Sequence, residues 1–295
     1  MNKLSPGDKV AVVAPCGQIG SIDKIAPALD YLRNLGFVVQ TGKHLLSVYR
    51  YMAGTDKQRA DDINRAFADN TIKAVFCARA SAGGTRILPY LDYETAKQNL
   101  KPVIGFCDNA ALQLALYKKS GIISYNGFVM NYDFKSGKLA PLIADNLEKL
   151  LFGKPLHINS GTTLRSGKVS AELLCCNLSV LARMAGSSYF PDLGGKILLL
   201  EEVNEPIYKI DLMLQQLKQQ PSFDKLSGLI FGQFTNCGGD AEDGTLDDCL
   251  RDFMGNSKIP AVTNFNFGHT VSRHVLPQGA KVSFDADKAT LDIVC

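Results

Sequence analysis

Cys107 stands at the end of an apolar run, Val103-Ile104-Gly105-Phe106, and is followed at once by Asp108, Asn109 and the apolar stretch Ala110 to Leu116. A strand that turns into a helix within two residues pushes the side chain at the turn outward. The turn lies at the carboxyl end of the strand, where open α/β sheets keep their sites. A thiol there is a candidate nucleophile, because a helix N-terminus favours the thiolate. Asp108 and Asn109 are expected to cap the new helix. The same pattern also suits a small cysteine packed under a βα turn, which is the ordinary role of a free Cys. A nucleophile needs a base, and the base an orienting acid. Of the four His, His269 follows an apolar strand in Asn266-Phe267-Gly268-His269-Thr270, beside a glycine that allows close backbone approach, whereas His44 and His157 fall in segments that read as surface connections. Glu201 and Glu202 come directly after the apolar run KILLL, with Glu205 and Asp211 following. Such a group reads as a functional acidic cluster or as caps and salt-bridge partners.

Other chemistries lack their residues. No G-x-x-x-x-G-K-[ST] loop is present and no strand is followed by G-x-G-x-x-G, so nucleotide phosphates have no obvious cradle. There is no H-E-x-x-H, and His269 and His274 lie five apart in a loop-like context, so no metal is expected. The eight cysteines (16, 77, 107, 175, 176, 237, 249 and 295) contain no C-x-x-C pair, which argues against zinc-ribbon and thioredoxin-type sites. Most of them read as buried free thiols. Thirty-two Lys plus Arg against 29 Asp plus Glu gives +3, too weak and dispersed for a nucleic-acid footprint. With 46% hydrophobic and 21% charged residues, the 295-residue chain is globular, as one large or two moderate domains. Runs such as Ile197 to Leu200 fall far short of the ~20 apolar residues a membrane span needs. Pro6, Gly7 and Asp8 interrupt the N-terminus before any signal-peptide-like region, so a cytoplasmic protein without membrane contact is expected.

The elements that must position Cys107, Glu201 and His269 follow from periodicity. Lys9 to Ala14 predicts a strand ending at Pro15, and Ile25 to Leu35 a helix stopped by Gly36. Phe37 to Gln40 predicts a strand, Thr55 to Ala68 a helix opened by a Thr-Asp cap, and Ile72 to Ala78 a strand. Lys101 to Phe106 is a strand again, leading into a helix to Lys119 that ends at Gly121. Short connections between alternating strands and helices argue for right-handed βαβ units and a parallel sheet. After the helix Leu142 to Leu151 the pattern changes, through a polar stretch Asn159 to Lys168. A helix Leu178 to Met184, a strand Lys196 to Leu200 and a helix Pro206 to Gln219 follow, the last with Ile207, Ile210, Leu214 and Leu217 as a core-facing stripe. Strands at Gly228 to Phe234, Ala261 to Phe265, Lys281 to Phe284 and Thr290 to Val294 finish the chain. The expected fold class is α/β: an N-terminal doubly wound parallel-sheet domain, flavodoxin- or glutamine-amidotransferase-like, over 1–152; a linker at 153–168; and a C-terminal α+β domain over 169–295.

Longer stretches carry a resemblance. LSPGDKVAVVAP, YMAGTDKQRADDINRAFADNTIKAVFCAR, RILPYLD, VIGFCDNAAL, NLSVL, KILLLEEVNEPIYKID and NFNFGHT with LPQGA run almost end to end. Together they resemble the serine LD-carboxypeptidases, the murein tetrapeptide carboxypeptidase family that also contains the microcin C immunity proteins. The family's elbow usually reads G-Y-S-D-x-T-A-L, and GFCDNAAL stands in its place. The resemblance implies Cys107 as nucleophile, Glu201 as triad acid and His269 as base. That puts the nucleophile in the first domain and its partners in the second. It also implies hydrolysis of a small peptide with a C-terminal D-residue, D-Ala in the murein case, without a cofactor, by a homodimer.

Departures from the family pattern cluster at these positions. The nucleophilic Ser is replaced by Cys107, Ala110 replaces the elbow Thr, and Cys175-Cys176 replace a Gly-Gly before Asn177. The family loop R-G-G-Y-G reads Arg79-Ala80-Ser81-Ala82-Gly83-Gly84 here. In the family, a backbone N–H of that loop and the N–H after the nucleophile form the oxyanion hole; carried over, these are Ser81 and Asp108. Losing glycines works against the conformation that aims the loop amide, while Gly83-Gly84 leave a related turn open. Arg79 and Arg86 are candidates for holding a terminal carboxylate, with a surface ion pair as the alternative role of Arg86. Four outcomes therefore stand open: a Cys-dependent LD-carboxypeptidase, a microcin-immunity-like amide hydrolase, a weak or inactive member that binds a small peptide or peptide-nucleotide, or another thiol chemistry such as a transferase or redox sensor.

Overall fold

The structure is a computed structural model that describes residues 3–294; Cys295 lies outside the described residues. In chain order the first half forms β1 (Lys9–Val13), α1 (Ala26–Asn34), β2 (Val38–Thr41), α2 (Asp56–Ala68), β3 (Ile72–Cys77), α3 (Gly84–Ile87), α4 (Tyr93–Gln98), β4 (Val103–Gly105), α5 (Asn109–Ser120), β5 (Ser124–Asn126), α6 (Met130–Asp133) and α7 (Pro141–Leu151). The second half forms β6 (Leu156–Asn159), β7 (Thr162–Arg165), β8 (Lys168–Asn177), α8 (Leu178–Met184), β9 (Ile197–Val203), α9 (Ile207–Lys218), β10 (Gly228–Thr235), α10 (Leu246–Met254), β11 (Ala261–Thr263), β12 (Leu276–Gln278), β13 (Lys281–Asp285) and β14 (Thr290–Ile293). These elements form two compact units, one from residues 3–154 with 274–279, the other from 155–273 with 280–294.

The first unit is built on a six-stranded sheet of order β12-β5-β4-β3-β1-β2. All neighbouring pairs from β2 to β5 are parallel, and β12 runs antiparallel on β5. Strands covered on both faces read as mostly apolar runs, which is why KVAVV, IKAVFC (with only Lys73 exposed) and VIG carry so clear a signal. Strand order reverses between β1 and β3, the place where doubly wound sheets of this kind bind ligands. Thr55 opens α2 with a capping box, its hydroxyl accepting from the Gln58 amide. Helix α5 is buried from Asn109 to Leu116 and ends at Gly121, whose φ of +69° suits the left-handed cap.

The second unit holds an eight-stranded sheet, β6-β14-β13-β8-β9-β10-β11-β7. Its centre β8-β9-β10-β11 is parallel, and its flanks are antiparallel. Helix α9 buries Ile207, Ile210, Leu214 and Leu217, the stripe its spacing predicts. The stretch 153–168, expected as a linker, instead holds β6 and β7. In β6 the buried Leu156 and Ile158 alternate with the exposed His157 and Asn159, a period of two that the polar surroundings masked.

His274 opens the segment that returns to the first unit and sets Nδ1 2.7 Å from Asn146 Oδ1. Burial lowers its pKa to about 4 from an ordinary 6.5. The folded protein keeps the imidazole neutral, while the unfolded chain takes up a proton as pH falls through 6.5. The resulting stability is complete above pH 6.5 and is lost on the way down to about 4. Urea unfolding of wild type should lose up to about 3 kcal/mol across that window relative to a His274→Gln variant, less as far as solvent screens the site.

Candidate active site

In the first unit, Cys107 lies in the three-residue turn between β4 and α5, and its backbone φ is +59°. A non-glycine residue held in the left-handed region costs on the order of 1–3 kcal/mol and persists only where the surroundings dictate it. Cys107 is half-buried, while Cys16, Cys77, Cys175, Cys176 and Cys249 are buried. Burial pushes the thiols of Cys16, Cys77 and Cys175 well up, and that of Cys249 up to about 11.

Asp108 does not cap α5 with its side chain. Its carboxylate oxygen Oδ2 accepts a hydrogen bond from the amide of Gly84 instead. Asn109 turns inward, donating Nδ2–H to the Phe106 carbonyl at 3.1 Å and accepting from Cys16 Sγ at 3.1 Å. The expected caps are thus spent on tying the elbow to its neighbours.

The loop after β3 packs against the loop after β1. Arg79 donates to the Gln18 carbonyl, and the Gly17 amide donates to the Ala80 carbonyl at 3.0 Å. Ser81 takes φ +82°, a glycine-type conformation. The turn survives the loss of the glycine, at a backbone cost that glycine would avoid. Arg86 lies on α3 and is half exposed; its Nε and Nη2 grip Asp56 Oδ1 and Oδ2 at 3.0 and 2.8 Å.

In the second unit, Glu201 and Glu202 lie within β9 rather than after it, so their side chains take opposite faces. Glu201 is fully buried, and its Oε2 lies 2.7 Å from Nδ1 of His269. Its other oxygen, Oε1, has no hydrogen-bond partner among the described residues. A carboxylate on Nδ1 fixes the tautomer in which Nε2 carries the lone pair that accepts a proton. The segment bearing His269 is stitched to β10: the Gln233 amide donates to the Phe267 carbonyl at 2.7 Å, and Phe265 to Phe231 at 3.1 Å. Gly268, at φ +142°, lets this segment close over β9; a Cβ there would lie 2.9 Å from the Gln233 carbonyl oxygen and 3.3 Å from Glu201 Cβ.

Glu202 serves the fold. It accepts from Asn177 Nδ2, the Ser179 amide and the Val203 amide at 2.8, 2.7 and 2.8 Å, joining β9 to the start of α8. Burial nonetheless raises its pKa. Glu205 pairs with Lys209 at 3.4 Å, and Asp211 Oδ1 accepts from Gln215 Nε2 at 3.5 Å, so the four acids read as one cluster separate into different tasks. His157 pairs with Asp292 on the surface. One group of described side chains could offer metal-type ligands: atoms of His44, Asp61 and Asp62 lie within 4.8 Å of one another. Arg65 already takes the Asp61 carboxylate at 2.7 Å. Sequence reasoning missed Arg59, a fully buried guanidinium on α2, because Lys and Arg on an amphipathic helix ordinarily face water.

Known proteins place these features in a family. The sequence profile of the LD-carboxypeptidase N-terminal domain matches residues 10–127, and that of the LD-carboxypeptidase C-terminal domain matches 170–284. A probable murein peptide carboxypeptidase of Bacillus subtilis is 30% identical over 293 residues, covering 97% of this chain and 92% of that protein. The microcin C7 self-immunity protein of Escherichia coli is 27% identical over 300 residues, covering 90% and 86%. Among solved structures, muramoyltetrapeptide carboxypeptidase from Oxalobacter formigenes superposes with a TM-score of 0.87 at 26% identity, covering 97% of this chain and 99% of that one. With both domain profiles matched in order and an end-to-end relative at 30% identity, the chain belongs to the LD-carboxypeptidase family and is a peptide-bond hydrolase of the carboxypeptidase class.

Proposed function

We propose that this chain releases a C-terminal D-amino acid, D-Ala in a murein tetrapeptide, through a thioester on Cys107. In this reading the Cys107 sulfur attacks the carbonyl, and His269 takes the thiol proton and returns it to the leaving amine. Glu201 orients the imidazole and balances its charge, while the Ser81 and Asp108 amides receive the oxyanion. Water, activated by His269, then hydrolyses the thioester. Of the two arginines, Arg79 is the stronger candidate for the terminal carboxylate, because Asp56 already occupies the two-pronged face of Arg86. The enzyme would work in the cytoplasm as a homodimer, on a small peptide and without a cofactor.

The observation that carries this reading is the fully buried Glu201 carboxylate on His269 Nδ1. Desolvating a carboxylate is costly, and an imidazole that no longer accepted protons would not need one. Incubation with L-Ala-D-Glu-diaminopimelate-D-Ala, followed by mass spectrometry, should show free D-Ala. Iodoacetamide should label Cys107 ahead of Cys16, Cys77, Cys175, Cys176, Cys237 and Cys249 at neutral pH. The strain at Ser81 favours one second reading, a member that binds peptides without turning them over. Binding without release of D-Ala would establish it. Cleavage of an aminoacyl nucleotide amide in place of the tetrapeptide would shift the assignment to the immunity-type reaction.

A further inference from the structure

We propose that Arg59 is a positioning residue for the oxyanion-binding loop, acting through the single peptide group that joins Gly83 to Gly84. The proposal rests on the roles given above to the Ser81 and Asp108 amides. Arg59 is 1% exposed. A guanidinium so buried persists only where its N–H groups find acceptors and its charge a partner. Its Nη1 donates to the carbonyl of Pro15, two residues beyond β1, and to the carbonyl of Gly83 at 2.9 Å. Its Nη2 binds Asp56, the carboxylate that also holds Arg86.

The Gly83 carbonyl and the Gly84 amide are two ends of one planar unit. Arg59 holds its oxygen, and the Asp108 carboxylate holds its N–H. The fit leaves no slack. A Cβ at Gly83 would lie 3.2 Å from both Arg59 Nη1 and Met52 Sδ, and one at Gly84 would lie 2.5 Å from the Asp108 carbonyl oxygen. Ser81, two residues earlier, keeps φ +82° although serine does not favour it. A grip on the following peptide supplies the external constraint that such a conformation requires.

Asp108 gives this grip its chemical meaning. It directly follows the nucleophile, so its backbone amide is one oxyanion donor while its side chain anchors the loop bearing the other. The spacing of the two donors is thereby set by one hydrogen-bonded chain, Arg59 to peptide 83–84 to Asp108. Oxyanion donors work only within about 2.7–3.1 Å of the oxygen they stabilise, so a loosened loop loses rate rather than substrate.

The test compares wild type with Arg59→Lys, which keeps the charge but loses the fork. Expected are a fall in kcat for D-Ala release of about 10–100-fold, a KM within about threefold, faster hydrogen exchange of the Gly84 amide by NMR, and an unchanged rate of Cys107 alkylation. Alkylation needs no oxyanion hole, so its constancy separates a displaced loop from general damage. Should Arg59→Lys fail to fold, Asp108→Ala releases the same peptide from its other end and should give the same fall in kcat, the same small change in KM and the same faster Gly84 exchange; alkylation is not its control, because the Asp108 carboxylate directly follows the Cys107 thiol. Unchanged Gly84 exchange, or faster exchange with kcat intact, would overturn the proposal. Faster exchange in a protein whose wild type releases no D-Ala would remove the hydrolase reading while leaving the grip of Arg59 on the loop established.

Discussion

Cys107→Ala should lower D-Ala release by at least about 10⁴-fold, and His269→Ala should do nearly the same. The double variant should be little worse than either, because a nucleophile without its base, or a base without its nucleophile, forms no acyl-enzyme at a useful rate. Glu201→Gln should cost less, since nucleophile and imidazole both remain. Cys107→Ser separates two histories of the position. If the backbone at φ +59° still suits a hydroxyl, the serine variant retains or gains activity; if the surroundings have adapted to sulfur, it is slower. Steady-state kinetics with mass-spectrometric detection of D-Ala reads all of these. Wild-type turnover by Cys107→Ala would end the assignment of the nucleophile.

The second large effect is steric. Gly232→Ala places a methyl group on β10 that overlaps the Phe267 carbonyl oxygen and lies 3.3 Å from Glu201 Cβ. Gly232 is not among the residues with positive φ, so the alanine pays no backbone penalty of its own. What must move is the segment that carries His269. Misplacing a catalytic group by about 1 Å costs around 10²-fold in rate, and overpacking costs about 1–3 kcal/mol in stability. We expect both losses in Gly232→Ala, with Cys107 alkylation far less affected than turnover. A variant with normal kcat and a lowered Tm would show that His269 tolerates displacement.

The sequence announced what was written in local pattern. In the first unit β1, β3 and β4 were plain because they are mostly apolar and buried, and α2 and α9 because cap and stripe are local signals. The parallel strand β5, Ser124–Asn126, went unread because its residues are buried yet mostly polar. Strand β8 went unread: Lys168 to Ser170 alternate and Leu173 to Cys176 are uniformly buried, so no single period spans its ten residues. Strand β12 is three residues containing a proline, and only its position against β5 makes it a strand. Among site candidates, Glu201 could be told from Glu202 by resemblance but not by pattern; which of two adjacent carboxylates faces His269 is a matter of sheet register. The tasks of Asp108 and Arg59 were illegible for a similar reason. Both bind a backbone peptide, and backbone leaves no mark in the residue letters.

The antiparallel pairing of β12 with β5 also has a consequence in time. The first sheet draws its last strand from residues 276–278, some 150 positions after β5. A ribosome adding about 5–20 residues per second takes roughly 8–30 s to supply it. Throughout that interval the nascent sheet presents β5 as an open edge, with Ser124, Tyr125 and Asn126 all buried in the finished protein. Open edges recruit other strands. The first unit therefore cannot mature independently during synthesis, and a gene fragment ending near residue 154 would encode a sheet left permanently unzipped along one side.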